Sequence, residues 1–136
     1  MNASWPAGFS TYDYDDPFED LIGPLGYKID SDGIRFAFHA GLHHCNTQST
    51  VHGGMLMTFA DYALCLTAIW NQPEERCVTV SLQCEFVAAA NSGDFLESIC
   101  EVVRRTGSLV FLRGKIFVGE RTLVAYSGIV KRLHAR

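Results

Sequence analysis

The sequence predicts an α+β fold, a curved antiparallel sheet wrapped around one long buried helix. Three observations carry this. The run Met55–Trp70 is rich in good helix formers and holds one charge, Asp61. The segments after it alternate apolar and polar residues, as half-buried strands do. Before it, two short alternating segments flank the turn-forming Ser31-Asp32-Gly33. A helix apolar nearly all round must be buried on most of its surface, and a sheet folded over it supplies the cover.

In chain order, residues 1–20 are polar, aromatic and acidic, with a short helical turn expected over Pro17–Ile22 and a stop at Gly23-Pro24. Gly26–Ile29 reads as a strand. Ile34, Phe36 and Phe38 alternate with Arg35, Ala37 and His39, completing a hairpin. Residues 40–52 are loop-like. Gly53-Gly54 opens the helix, and Asn71-Gln72-Pro73-Glu74-Glu75 ends it. Val78, Val80, Leu82, Cys84 and Phe86 alternate with Thr79, Ser81, Gln83 and Glu85. Turns at Asn91–Asp94, Thr106-Gly107 and Gly119–Arg121 then divide strands Phe95–Arg104, Leu109–Val118 and Leu123–Leu133 into a long meander.

Composition bounds the function. The 136 residues suit one domain, 1–136, in which 1–24 is an N-terminal extension or short helix. A net charge of −4 argues against a protein living on nucleic acid. The five cysteines are odd in number and form no CxxC pair, so reduced thiols are expected, mostly in the core. No targeting segment is visible, and the apolar run is short for a membrane span and carries Asp61 in its middle. A cytoplasmic protein with no membrane partner is the expectation.

Asp61 is the first candidate for chemistry. A buried unpaired carboxylate is costly, so this group is paired, solvated in a cleft, or neutral. A bland alternative is a partly exposed Asp on a polar stripe with Thr58 and Tyr62. Val51-His52-Gly53-Gly54 precedes the helix. Glycines at a helix N-terminus let a ligand approach free N–H groups where the dipole favours negative charge, which is what an oxyanion hole requires. Asn46 lies six residues before His52 and Asp61 nine after it.

The segment from Asn46 through His52-Gly53-Gly54 and the apolar helix to Asp61 resembles the hotdog-fold acyl-CoA thioesterases of the phenylacetate-degradation type. The resemblance extends over roughly residues 25–133. It implies hydrolysis of acyl-CoA, with Asp61 as nucleophile or general base and the Gly53 N–H polarising the thioester carbonyl. It further implies that His52 supports that loop and that Asn46 places the water or thioester. Where some members have a Ser that holds the water, this chain has Thr79; Ser81, two residues on in an alternating strand, is the other option. The family site lies between subunits, which implies a homodimer or homotetramer. The resemblance also brings the nucleotide end of coenzyme A near Arg104, Arg105, Gly107 and Ser108. Arg113, Lys115, Lys131 and Arg132 are further basic residues expected close by, and solubility alone explains such residues equally well.

Other chemistry is less well supported. His39, His43, His44 and Cys45 cluster in sequence without the spacing of a closed metal site, so no metal and no cofactor is expected, coenzyme A being part of the substrate. No G-x-S-x-G elbow is present. A non-catalytic acyl-CoA-binding module on the same scaffold is the alternative function. Phe59, Tyr62 and Trp70 serve equally well as acyl pocket or as core.

Overall fold

The computed structural model describes residues 5–12, 14–72 and 75–134. The chain forms β1 (Ser10–Thr11), α1 (Pro17–Ile22), β2 (Gly26–Asp30), β3 (Gly33–His39), α2 (Gly53–Ile69), β4 (Glu75–Phe86), β5 (Phe95–Arg105), β6 (Leu109–Val118) and β7 (Arg121–His134). All strands pair antiparallel in one sheet of order β1-β2-β3-β5-β6-β7-β4. One sheet wrapped on one long helix is the hotdog arrangement that the sequence predicts.

The long helix forms as expected. Phe59, Ala60, Ala63, Leu64 and Ala68 are fully buried against Phe36, Phe38, Leu96, Leu112 and Val130 of the sheet. Each large side chain so buried contributes ~1.5–3 kcal/mol relative to exposure. Gly128 leaves room for the helix, since a side chain there would strike Leu64 and the Ser81 carbonyl. Asn71 ends the helix in a left-handed conformation, φ 62°. Of the expected stop segment, Pro73 and Glu74 lie outside the described residues.

Two features depart from the sequence reading. The strands do not form one continuous meander. β4 leaves the helix, pairs with β7 at the edge of the sheet, and the segment Val87–Asp94 carries the chain back to β5 between β3 and β6. A local pattern of alternation specifies a strand but not its neighbour, which long-range burial decides. Secondly, β4 changes face part-way along. The pairs Thr79↔Val130 and Ser81↔Ile129 enclose a β-bulge. Cys77 and Thr79 point inward before it, and Leu82 and Cys84 after it. Val78 and Val80 are therefore 47% and 58% exposed, and not in the core as uninterrupted alternation would have them.

Candidate functional site

Three groups of residues singled out in the sequence occupy three places. The first is the loop before α2. The Asn46 side-chain oxygen accepts from the N–H groups of Gln48 (2.9 Å) and Thr50 (3.2 Å) and from the Thr50 hydroxyl (3.1 Å). The Asn46 N–H donates to the Thr50 carbonyl at 2.8 Å. The loop is thus closed on one side chain, whose amide nitrogen is uncommitted among the described residues. A bridge between Cys45 and Val51 brings Asn46 and His52 to the two sides of this loop. His44 anchors it from below. Its Nδ1 accepts from the Gly41 N–H (2.9 Å) and its Nε2–H donates to the Ile22 carbonyl (2.6 Å). Burial holds its pKa below the usual imidazole value, the bond to Ile22 opposing and His43 adding to the shift. His44 is a structural residue, and among the described residues no cluster suited to a metal forms.

His52 caps α2. Its Nδ1 accepts from the Gly54 N–H at 2.8 Å, which puts the ring proton on Nε2, facing solvent. Gly54 is needed for this contact, because a Cβ there would lie 2.9 Å from Nδ1. Gly53 has another part. Its N–H is the first of the helix and has no acceptor among the described residues. A Cβ on Gly53 would meet only the Phe86 ring, at 3.4 Å. The two glycines therefore divide the work: one admits the cap, the other presents a donor at the positive end of the helix.

The second place is the middle of α2. Asp61 is half-buried, and its carboxylate accepts a hydrogen bond from the Thr79 hydroxyl. The bulge in β4 turns Thr79 inward and leaves Ser81 on the exposed outer face, so Ser81 does not share the face of Thr79. Thr79 Oγ1 also lies 3.3 Å from the Sγ of Cys65, one helical turn beyond Asp61. All five cysteines are free thiols packed against the core. Eight residues of helix separate Asp61 from Gly53, a rise of roughly 12 Å. Within one chain these two groups cannot touch the same carbonyl.

The third place is the β5–β6 hairpin, which closes through the Thr106 N–H to the Leu109 carbonyl at 2.8 Å. Arg105 caps the far end of α2 by donating to the Ala68 carbonyl at 2.8 Å. Arg132 donates to the carbonyls of Thr106 and Gly107 and pairs with Glu75 at 3.3 Å. Arg104, Gly107 and Ser108 are exposed, and Arg104 forms no ion pair among the described residues. Arg113 pairs with Glu101 instead, and Lys115 lies over the Phe117 ring, 5.4 Å from its centroid.

The sequence reading placed the short helix at Pro17–Ile22, as found, but gave this N-terminal segment no part in the site. Asp16 caps α1 through the Glu19 N–H (2.9 Å), and Tyr14 donates to the Glu19 carboxylate. Together they wall a cleft of about 850 Å³ that runs along α2 from Asp61 past Tyr62 to Ile69 and Trp70. Burial raises the pKa of Glu19. The Tyr14 hydrogen bond opposes this, and the charges of Asp16 and Asp61 raise it further. The signal was present in Asp16-Pro17-Phe18-Glu19, an N-cap, a proline at the first helical position and an acid in the first turn. Nothing local indicated that this short helix lies against Asp61. Of the three aromatics offered as pocket or core, Phe59 is core, Trp70 lines the cleft, and Tyr62 does both.

The thioesterase superfamily model matches residues 48–125, which spans the His52–Asp61 segment and most of the sheet. The Pseudomonas aeruginosa protein named "Putative esterase PA0474" is 32% identical over 126 residues, 91% of this chain and 94% of its own. The chain belongs to the thioesterase superfamily. It is accordingly a thioester hydrolase. Solved structures share its fold. The Escherichia coli PaaI protein of the phenylacetic acid degradation operon superposes with a TM-score of 0.77 at 18% identity, over 89% of this chain and 87% of its own. The BH2602 protein of Bacillus halodurans, solved with CoA, gives 0.73 at 21% identity, over 81% and 74%. No described helix of this hydrolase is long and apolar enough to cross a membrane.

Proposed function

We propose that the protein hydrolyses acyl-CoA thioesters at a site assembled from two copies of the chain. The observation that carries this reading is the roughly 12 Å of helix between the free Gly53 N–H and the Asp61 carboxylate. Each protomer holds one half of the chemistry at each location, and a symmetric pair supplies both halves twice.

In the mechanism, the thioester carbonyl oxygen accepts from the N–H of the partner subunit's Gly53, at the positive end of that helix. Asp61 then attacks the carbonyl carbon or removes a proton from a water that does. The C–S bond breaks and the coenzyme A thiolate leaves. On the base route the acid forms directly, and the proton taken by Asp61 passes to the thiolate or to solvent. On the nucleophile route water hydrolyses the mixed anhydride formed with Asp61, which releases the acid and restores the carboxylate. Thr79 holds the carboxylate in one orientation. The partner subunit's His52 keeps the donor loop in shape through the Gly54 N–H and presents its own Nε2–H, and the free amide of the partner subunit's Asn46 places the water or the thioester. In this reading Arg104, with Gly107 and Ser108, meets the nucleotide phosphates, a role its exposure supports, while Arg105 steadies the hairpin through the helix end it caps. Solved relatives of the same fold hold this ligand class, among them a Streptococcus pneumoniae protein with coenzyme A. The assembly is a homodimer or a dimer of dimers in the cytoplasm, and the reaction uses no metal or cofactor. Thiol release from a panel of acyl-CoAs, run beside Asp61→Ala, tests the reading: turnover is expected with wild type only. Binding without release by wild type would leave an acyl-CoA-binding module.

A further inference from the structure

The cleft beside Asp61 has two properties that hydrolysis alone does not use. Its charge is of one sign. Asp16, Glu19, Asp61 and Glu75 line it, and among the described residues no lysine, arginine or histidine does. Glu75 is compensated by Arg132 at 3.3 Å. Among the described residues the other three are met only by neutral donors, the Glu19 N–H, the Tyr14 hydroxyl and the Thr79 hydroxyl. Independently, Tyr62 lines the same cleft at 4% exposure, and its hydroxyl has no hydrogen-bond partner among the described residues. A sealed phenol without a partner is an open valence for a bound molecule.

An acyl-CoA has a polyanionic end and an acyl end. A cleft with uncompensated carboxylates repels the phosphates, so the nucleotide lies elsewhere and the acyl group enters here. The same field acts on the far end of the acyl group. Along α2 the wall is Leu66, Ile69 and Trp70, and Tyr12 lines the end with its ring centroid 5.6 Å from that of Trp70. From Asp61 to Trp70 the helix rises roughly 13 Å, which bounds the length accommodated.

We infer that this cleft is the acyl pocket and that it selects neutral acyl groups of medium length, aliphatic or aryl, and rejects those ending in a carboxylate. Tyr62 supplies a neutral hydrogen bond to an oxygen of the bound molecule. The inference rests on the thioesterase reading of Asp61 and adds the substrate class.

The test compares octanoyl-CoA with suberyl-CoA, in which a carboxylate replaces the terminal methyl of the same chain. Both kcat/KM and the calorimetric Kd of the non-hydrolysable thioether analogues are measured on the full chain. Wild type should favour the neutral member about 10–100-fold in both quantities, as expected for like charges held several ångströms apart. Glu19→Gln, and Asp16→Asn combined with Glu19→Gln, should shrink the preference by recovering the carboxylate-ended ligand. Asparagine keeps the α1 cap. Parity in wild type, or an unchanged preference in the double variant, would overturn the inference. If neither thioester turned over, the hydrolytic reading would fall, and the affinity ratio would decide the pocket by the same criteria.

Discussion

The two ends of the candidate site are built in opposite ways. The loop before α2 is closed on itself: Asn46 holds three donors, His44 two partners and His52 the helix cap. What remains is one N–H, one imidazole N–H and one amide, all donors. The region around Asp61 is open. Among the described residues its carboxylates outnumber its cations, and the Tyr62 hydroxyl has no hydrogen-bond partner. One end is a finished set of donors and the other an unfinished set of acceptors. Preorganised donors lower a barrier without reorganising, whereas the acceptor side must accommodate an incoming acyl group. Variants at the two ends should therefore fail in different ways.

The largest effect is expected at the open end. Asp61→Ala should lower kcat about 10²–10⁴-fold, the range for a lost general base, and leave the circular dichroism spectrum unchanged. Next comes a substitution that deletes one atom pair. Gly53→Pro removes the free N–H at the first helical position, where proline is tolerated, and His52 already has the extended φ −61°, ψ 137° that a following proline requires. Turnover should fall about 10²–10³-fold with the helix intact. Gly53→Ala, which keeps the N–H and meets Phe86 at an ordinary distance, is the matched control and should stay within a few-fold of wild type.

Smaller losses separate orientation from chemistry. Thr79→Val removes the hydrogen bond to Asp61 and should cost about 10–100-fold in kcat, with Thr79→Ser restoring most of it. Ser81→Ala, on the outer face, should do nothing. The smallest effect is on stability, at the closed end. His44 has a folded pKa below its unfolded value, so its contribution is complete above about pH 6.5 and is lost as the pH falls. A wild-type Tm that drops below that pH, with the drop reduced in His44→Gln, would verify this.

The legible parts were those whose signals are local. Helix α2 follows from its composition, the β2–β3 hairpin from Ser31-Asp32-Gly33, and the β5–β7 hairpins from their turn residues. The link of His52, Gly53 and Asp61 was legible only through resemblance, since a Gly-Gly before a helix is common. The partner of β4 was not legible, because alternation names a face and not a neighbour. Nor was the bulge at Thr79–Ser81, which has no glycine to mark it and reverses the face of half a strand. Tyr14 and Glu19 escaped for the same reason as β4: their place beside Asp61 depends on how a short N-terminal helix packs across a long one.

The central claim is that one protomer supplies Asp61 and the other Gly53. It is tested by co-expressing two differently tagged variants, Asp61→Ala and Gly53→Pro, each inactive alone. In a mixed dimer, one of the two sites joins an intact Asp61 to an intact Gly53. Random pairing should then restore about a quarter of wild-type turnover per chain, carried by the doubly tagged fraction. No recovery in that isolated mixed dimer would contradict a shared site and place the whole reaction within one chain.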